Sequence, residues 1–515
     1  MKHDAGIYTR PSGTSIQAFR KASQIFKIPS NAHQRIAIIG GGAMGVSLAS
    51  ILAQLGIAEV TLLEAESTPL NRYSASCNNT GILHHFVYGG HFSTIELLFK
   101  QSLLFRKVMP DHVFEDGYVN YVAPNIEGNT AISEQGITLK DVSQKLIEIY
   151  TKHIFDHPSD NIFGFPEELV REIDREEILW GTGDENIFNA AVKVKQPVLN
   201  IDKYCDHLSW LLTQLVLNQN INLKINHKVT NIGLNDRGFT LTINQKETLH
   251  FNTVINTGYA QGLEIPIPSF SGQEQTGNIV KLKVYGLYKI PETLKTNIPQ
   301  FIERFSSTLL IRGQFGGIIR AGGDRLAVFY GLEYNQAELN IPLAKTPVNL
   351  PREWISWIKG ETEYYGNRCE ASILKSIQQG VSQWIPWVSV LEPIELKKSL
   401  QVYPGERPAN ELETSRRDHN PIRYQYQHPT GEQYIHIPGA KLTSIVYHSF
   451  LIVHKLLETY VKNGILWEQE VRRHLIIDND RTIIISPELE SLLGKELSSS
   501  SPEKPESIAE NFSFS

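Results

Sequence analysis

Sulfur is scarce in this chain: 515 residues include only Cys77, Cys205 and Cys369 and three methionines. No two cysteines stand in a CxxC pair, so the spacing encodes neither a disulfide framework nor a thiolate metal site, and a reducing cytoplasm fits. A large charge of one sign is also missing. The formal net charge is -6, from 49 basic and 55 acidic residues, which argues against bulk electrostatic attraction to nucleic acid. The first residues, MKHDAGIYTRPSGTSIQ, lack the apolar core of an export signal. No apolar run reaches bilayer length: the longest, at 445–457, is broken by His448, Ser449, His454 and Lys455. Any membrane contact is therefore expected to be peripheral, at the inner face. No repeat of fixed period is visible, which removes solenoids and propellers.

What remains is ordinary globular composition, 41% hydrophobic and 20% charged, enough to fill a sizeable interior. The length implies two or three domains, or two built from interleaved segments. Strand-like and helix-like stretches alternate, which reads as α/β with at least one parallel sheet. The clearest unit places a strand at Ile36 to Ile39, a turn at Gly40 to Gly45, a helix at Val46 to Leu55 and a strand at Val60 to Leu63. Further on, a helix is expected at Asp202 to Leu217, with strands at 222–225, 239–243 and 254–255. Residues 281–332 read as strand-rich, and DRLAVFYGLE at 324–333 as one strand. A last unit places a strand at Tyr434 to Ile437, a turn at Pro438 to Lys441 and a helix from Leu442 to Tyr460.

Gly40, Gly42 and Gly45, with Ala43 and Met44 between the last two, form a GxGxxG turn between an apolar strand and an apolar helix. The first glycine permits the sharp turn, the second lets a pyrophosphate approach backbone, and the third lets helix pack on strand. The helix start then offers N–H groups and a positive dipole end to phosphate. Glu64 ends the second strand about 20 residues past Gly45, where a carboxylate accepts hydrogen bonds from ribose hydroxyls. A second glycine pair, in WGTGDEN at 180–186, has no strand or helix around it and reads as a loop.

From residue 35 to about 460 the chain resembles the D-amino-acid-oxidase-like superfamily of FAD enzymes, which includes glycine oxidase and the glycerol-3-phosphate, 2-hydroxyglutarate and malate:quinone dehydrogenases. Four stretches carry the resemblance: RIAIIGGGAMGVSLASILAQLGIAEVTLLEAES, SASCNNTGILH, VINTG and IHIPGAKLTS. The resemblance implies FAD as cofactor. It places Asn78, Asn79, Thr80 and Gly81 along the flavin, Val229 at the adenine and Thr257 and Gly258 beside the phosphates. Gly439, Ala440, Lys441, Leu442 and Thr443 come at the flavin pyrimidine, where a strand, a turn and a helix start would aim N–H donors at the charge of reduced flavin.

Hydride transfer from a carbon bearing OH or NH needs an anion clamp and, for a hydroxyl, a base. Arg407 in YPGERP and Arg417 in SRRDHNP resemble the superfamily's clamp, with Arg416 the alternate if the register shifts. His84 is the candidate base. His85, Tyr88, Arg320, Tyr330 and His419 rank second. The segment after His84 lacks the Gly-Gly-x-Arg of glycerol-3-phosphate dehydrogenases, so only a class is named: a small anionic substrate, a 2-hydroxy acid or related alcohol, with quinone or O2 as electron acceptor. An amino acid or secondary amine oxidase stays open, as does a flavin-binding protein without turnover. Disulfide reductases need a second dinucleotide motif and a redox-active cysteine pair, and the sequence displays neither. No metal is expected. The expected fold is α/β, α+β overall: a Rossmann-type FAD-binding domain (34–90, 186–270 and 400–465) interleaved with a substrate domain on a mostly antiparallel sheet (91–185 and 271–399). Extensions flank them at 1–33 and 466–496, with a solvated tail at 497–515.

Overall fold

A computed structural model describes residues 25–26 and most of 34–493; it leaves out 1–24, 27–33, 87–91, 116, 126–136, 183–186, 237, 268–276, 299, 312–315, 342–346, 405–423, 428–430, 438, 440, 479–481 and 494–515. Among the described residues, six strands form one sheet in the order Tyr424–Gln427, Gln433–His436, Thr253–Asn256, Gln34–Ile39, Ala58–Leu63, Ile221–Lys224. All neighbours are parallel except at the Tyr424–Gln427 edge. The strand residues alternate between two interiors, as period-two side chains must. Ile36 and Ile38 enter the core shared with the helices Ala43–Leu55, Ile201–Leu217 and Ile445–Lys462. Ala37 and Ile39 enter a second core with Val229, Ile232, Phe239 and Leu241, from an antiparallel three-stranded sheet laid across the other face. Every residue of Ala43–Leu55 is buried, so this apolar helix is the centre of its layer, and Gly56 ends it at φ +67°.

A nine-stranded sheet, including the long pair Asn278–Lys289 and Glu392–Pro404, makes the second half. Among the described residues its pairings are antiparallel apart from Ser307–Leu310 with Tyr118–Pro124. One face packs Val284, Ile318 and Val328 with Trp357, Ile373, Ile377 and Trp387. The other packs Tyr285, Leu309, Ile319 and Ala327 with Leu146, Ile149 and Tyr150 of the helix Leu139–Asp156. The fold is thus α/β, with a Rossmann-type layer and a second, mostly antiparallel sheet.

Three expectations change. The strand expected to run through Glu333 stops at Tyr330, because the turn Gly331–Tyr334 swings the buried Glu333 carboxylate onto Arg368 at 2.7 and 2.8 Å and Ser376 at 2.6 Å. The closing helix begins at Ile445 rather than Leu442: a tighter turn, Leu442–Ser444, precedes it, held by Ser444 N–H on the Lys441 carbonyl at 2.9 Å. The N-terminal extension is not wholly polar in placement. Phe26 is fully buried in the helix-side core and meets His474 edge-on at 5.7 Å. The segment 466–493 closes the same core with Leu475, Leu489, Leu492 and Leu493.

Candidate dinucleotide site and its neighbouring cavity

The glycine turn is determined by contacts that leave no room for a side chain. Gly40 has φ +100°, and a Cβ there would stand 2.9 Å from Gly258 Cα. A Cβ on Gly45 would fall 1.9 Å from the Gly40 carbonyl oxygen. Gly40 N–H donates to Leu63 O at 2.8 Å, and Thr257 gives both its N–H (2.9 Å) and its Oγ1 hydroxyl (2.8 Å) to Ile39 O. Gly40, Gly45, Thr257 and Gly258 therefore form one close-packed cluster. Gly42 caps the helix without a side-chain hydrogen bond, and its missing Cβ faces a space bounded by Ser74 Oγ and Ser76 Oγ, each 3.6 Å away. Ala43 N–H donates to Ser76 Oγ at 3.0 Å, while Met44 is buried in the helix-side core. Glu64 is 8% exposed; Gly41 N–H reaches Oε2 at 2.7 Å and Glu66 N–H reaches Oε1 at 2.8 Å. Burial raises its carboxyl above the ordinary range, outweighing those two donors. Val229 opens the strand Val229–Asn235, buried against the ends of the first two strands.

The segment after Glu64 folds on itself. Asn78 Nδ2 donates to Arg72 O (2.6 Å) and Ser74 O (3.0 Å), and Asn79 Oδ1 accepts from Gly81 N–H at 3.1 Å. Gly81, at φ +85°, lies so close to Leu199 that a Cβ would stand 2.3 Å from its carbonyl oxygen. Tyr285 of the nine-stranded sheet donates its hydroxyl to Asn79 O at 3.0 Å. A cavity lies at this junction, lined by Cys77, Asn79, Thr80, Tyr285 and Asp202, with Arg320, Arg325 and Lys397 from the sheet. Arg325 pairs with Asp202 at 2.8 Å.

His84 is half-buried just beyond this segment. Its neighbour His85 is not a pocket residue. It is fully buried between Phe99 and Phe163, with Nδ1 3.2 Å from Ser102 Oγ, and burial lowers its pKa to about 3. Tyr330 likewise packs in the core on the far face of the sheet, against Gly380. Of the second-rank candidates with described positions, Arg320 alone lines the cavity. Arg407, Arg416, Arg417, His419, Tyr88 and Ala440 lie outside the described residues.

At the second turn, Gly439 is buried against the long strand, where a Cβ would come 2.5 Å from Val402 O. Lys441 is half-buried and leads into Leu442, Thr443 and Ser444, all buried. Ser444 Oγ donates to Gln101 Oε1 at 2.6 Å. Two buried polar atoms flank this turn with no hydrogen-bond partner among the described residues, Thr443 Oγ1 and His436 Nε2. Burial lowers the His436 pKa to about 4.

These features fit a dinucleotide with a polar ring system: a side-chain-free approach to the helix start at Gly42, a buried acid at the end of the second strand, and, among the described residues, orphaned polar atoms at the second turn. A parallel layer carrying that cradle, beside a large antiparallel sheet, is a fold suited to an FAD-binding oxidoreductase. Residues 35–273 match the family model DAO, FAD dependent oxidoreductase. Among solved structures it is similar to glycine oxidase from Geobacillus kaustophilus (14% identity, 83% of this chain and 95% of that one, TM-score 0.52). It is also similar to L-amino acid deaminase from Proteus vulgaris (11%, 85% and 96%, TM-score 0.54) and L-proline dehydrogenase from P. horikoshii (13%, 85% and 96%, TM-score 0.51). At such identities the likeness establishes the fold. No curated protein matches in sequence. Among the described residues, no helix is long and apolar enough to cross a membrane.

The sequence had no signal for Ser76 as a partner of the first helical N–H, for Tyr285 as a bridge to Asn79, or for Arg325 and Lys397 at the cavity. Each is brought in by a strand or loop remote in sequence. The contact of Cys77 Sγ with Cys205 Sγ, at 3.1 Å, was equally hidden, because CxxC spacing sees only neighbours along the chain.

Proposed function

We propose that the protein takes a hydride from a small anionic substrate, a 2-hydroxy acid or a related anionic alcohol, onto FAD. The observation that carries this reading is the cavity between the Asn79–Thr80 segment and the mixed sheet, lined by three cations, Arg320, Arg325 and Lys397, against one carboxylate, Asp202. A guanidinium holds a carboxylate by two parallel hydrogen bonds and so fixes which carbon faces the cofactor.

FAD, when bound, supplies the hydride acceptor at its N5. Gly40, Gly42, Ala43, Met44 and Gly45 receive the pyrophosphate at the helix start, Glu64 the ribose hydroxyls and the Val229 backbone the adenine. Thr257 and Gly258 hold the turn beside the phosphates. Asn78, Asn79, Thr80 and Gly81 run along the flavin, and Gly439 to Thr443 present N–H groups and the Thr443 hydroxyl to its pyrimidine edge. His84 accepts the hydroxyl proton as the hydride leaves, and Arg407 and Arg417 share the clamp with Arg320. The electron acceptor is a quinone or O2.

Oxidation of an amino acid or secondary amine is the second reading, motivated by the names of glycine oxidase and L-proline dehydrogenase. A neutral amine needs no strong base, so His84 separates the two readings. The test is anaerobic bleaching of flavin absorbance near about 450 nm by a panel of hydroxy acids and amino acids. Bleaching by a hydroxy acid that His84→Ala slows by about 100-fold supports the first reading. Bleaching by an amino acid, insensitive to His84→Ala, overturns it in favour of the second. Peroxide release on admitting air then identifies O2 as acceptor.

A further inference from the structure

Cys77 and Cys205, 128 residues apart in sequence, place their sulfurs 3.1 Å apart. Neither is in a disulfide, and both thiols are free. A disulfide needs about 2.05 Å between sulfurs, so roughly 1 Å of movement separates contact from bond. The two sites differ in access. Cys77 is half-buried and lines the cavity beside Asn79 and Thr80, whereas Cys205 is 8% exposed, in the second turn of the helix Ile201–Leu217. Cys77 Sγ also lies 3.0 Å from Leu70 O, at the start of the segment that runs on to Asn79. The elements they belong to are already clasped on each side: Leu199 N–H donates to Gly81 O at 2.8 Å, and Asp202 pairs with Arg325 across the cavity. Cys369 belongs to a different part of the molecule, at the start of the helix Glu370–Ser382.

We propose that Cys77 and Cys205 are a reversible redox pair, converted by hydrogen peroxide into an intramolecular disulfide that fastens the Asn78–Gly81 segment to the helix Ile201–Leu217. In the first step the Cys77 sulfur attacks the distal peroxide oxygen: an S–O bond forms, the O–O bond breaks, and the thiol proton leaves with the departing oxygen as water. In the second the Cys205 sulfur attacks the Cys77 sulfur: an S–S bond forms, the S–O bond breaks, and the hydroxyl leaves with the Cys205 proton as a second water. Two thiols are oxidised and one peroxide is reduced by two electrons. The order follows access, since an oxidant entering the cavity meets Cys77 first. The contact with Cys77 and burial push the Cys205 thiol up, so Cys205 is the less reactive of the two towards an oxidant. Closing the bond rigidifies the loop that lines the cavity, so the site senses peroxide through the backbone beside it.

The experiment counts thiols on the full chain, with FAD and without it. Protein treated with hydrogen peroxide is blocked with maleimide, digested and mapped by mass spectrometry. The expected result is a fall from three alkylated cysteines to Cys369 alone, a peptide joining Cys77 to Cys205, and recovery of all three after dithiothreitol. Cys369→Ser should leave the cross-link intact, and Cys77→Ser should leave Cys205 alkylatable after peroxide. Should Cys77→Ser fail to fold, the wild-type peptide map decides unaided. The proposal is overturned if Cys77 is oxidised to sulfinic acid while Cys205 stays alkylatable, if all three thiols survive peroxide, or if the cross-linked peptide contains Cys369.

Discussion

The six-stranded sheet carries two strand–turn–helix units, Gln34–Leu55 and Gln433–Lys462, and they are finished differently. In the first, Gly41 and Ala43 give their N–H groups to Glu64 and Ser76, and glycine packs on glycine at Gly40 and Gly258. In the second, the helix is delayed by a tight turn, and Thr443 Oγ1 and His436 Nε2 are buried without partners among the described residues. An unpaired buried polar atom costs roughly 1–3 kcal/mol. The N–H groups of the first turn are therefore paired within the chain, while the second carries a cost that a bound ring system is expected to relieve. Their titrating groups also pull in opposite directions: burial raises the Glu64 carboxyl and lowers the His436 imidazole.

The largest effect should come from breaking the finished turn. Gly45→Ala forces a methyl into the Gly40 carbonyl and should cost about 3 kcal/mol or more, with loss of FAD from the purified protein; a melting curve and the flavin-to-protein ratio check it. The pH dependence comes next. His436, with a folded pKa of about 4 against an unfolded value near 6.5, contributes stability present above the unfolded value and lost as pH falls toward 4. His436→Gln should flatten the acid fall in apoprotein stability by up to about 3 kcal/mol over that window. Glu64 has the opposite sign, its folded form holding the proton more tightly, so Glu64→Gln should steepen the same fall. Denaturant titrations of both variants at several pH values decide this, and identical profiles would remove the contrast. Glu64→Gln should also weaken FAD binding about 10-fold, close to 1.4 kcal/mol, by flavin fluorescence titration. The smallest effect sharpens the comparison most. Thr443→Val should leave the apoprotein as stable, or up to about 1 kcal/mol more stable, while reducing FAD affinity a few-fold. A loss of apoprotein stability would mean the hydroxyl is already satisfied.

The first unit was legible in the sequence because its requirements are local: four apolar residues, a glycine at each crowded position, an apolar helix and an acid at the next strand end. The second was half legible. Its strand and glycine were visible, but the helix start was placed three residues early, because the contact that shapes the turn, Ser444 with Gln101, spans 343 residues. His84 and His85 show the same limit at finer scale. Nothing in the sequence says which of two adjacent imidazoles enters the core between Phe99 and Phe163 and which stays half-buried. Tyr330 packs against Gly380, and strand alternation alone does not reveal which face of the sheet a given residue takes. Phe26 lies beside Ile25 in a short mixed stretch, without the periodicity that would betray a buried side chain.

The closing of the helix-side core by both flanks of the chain has a consequence for truncation. Gln54 of the dinucleotide helix donates to Leu492 O, and His207 Nε2 meets Leu493 O at 2.7 Å. A chain ending at His436 possesses every strand of the six-stranded sheet, yet the helix Ala43–Leu55 lacks the helix Ile445–Lys462 and the segment 475–493 that share its core. Leu475, Leu489, Leu492 and Leu493 fill the last part of that interior. A chain cut before residue 475 is therefore expected to melt at lower temperature although every strand of the sheet is present.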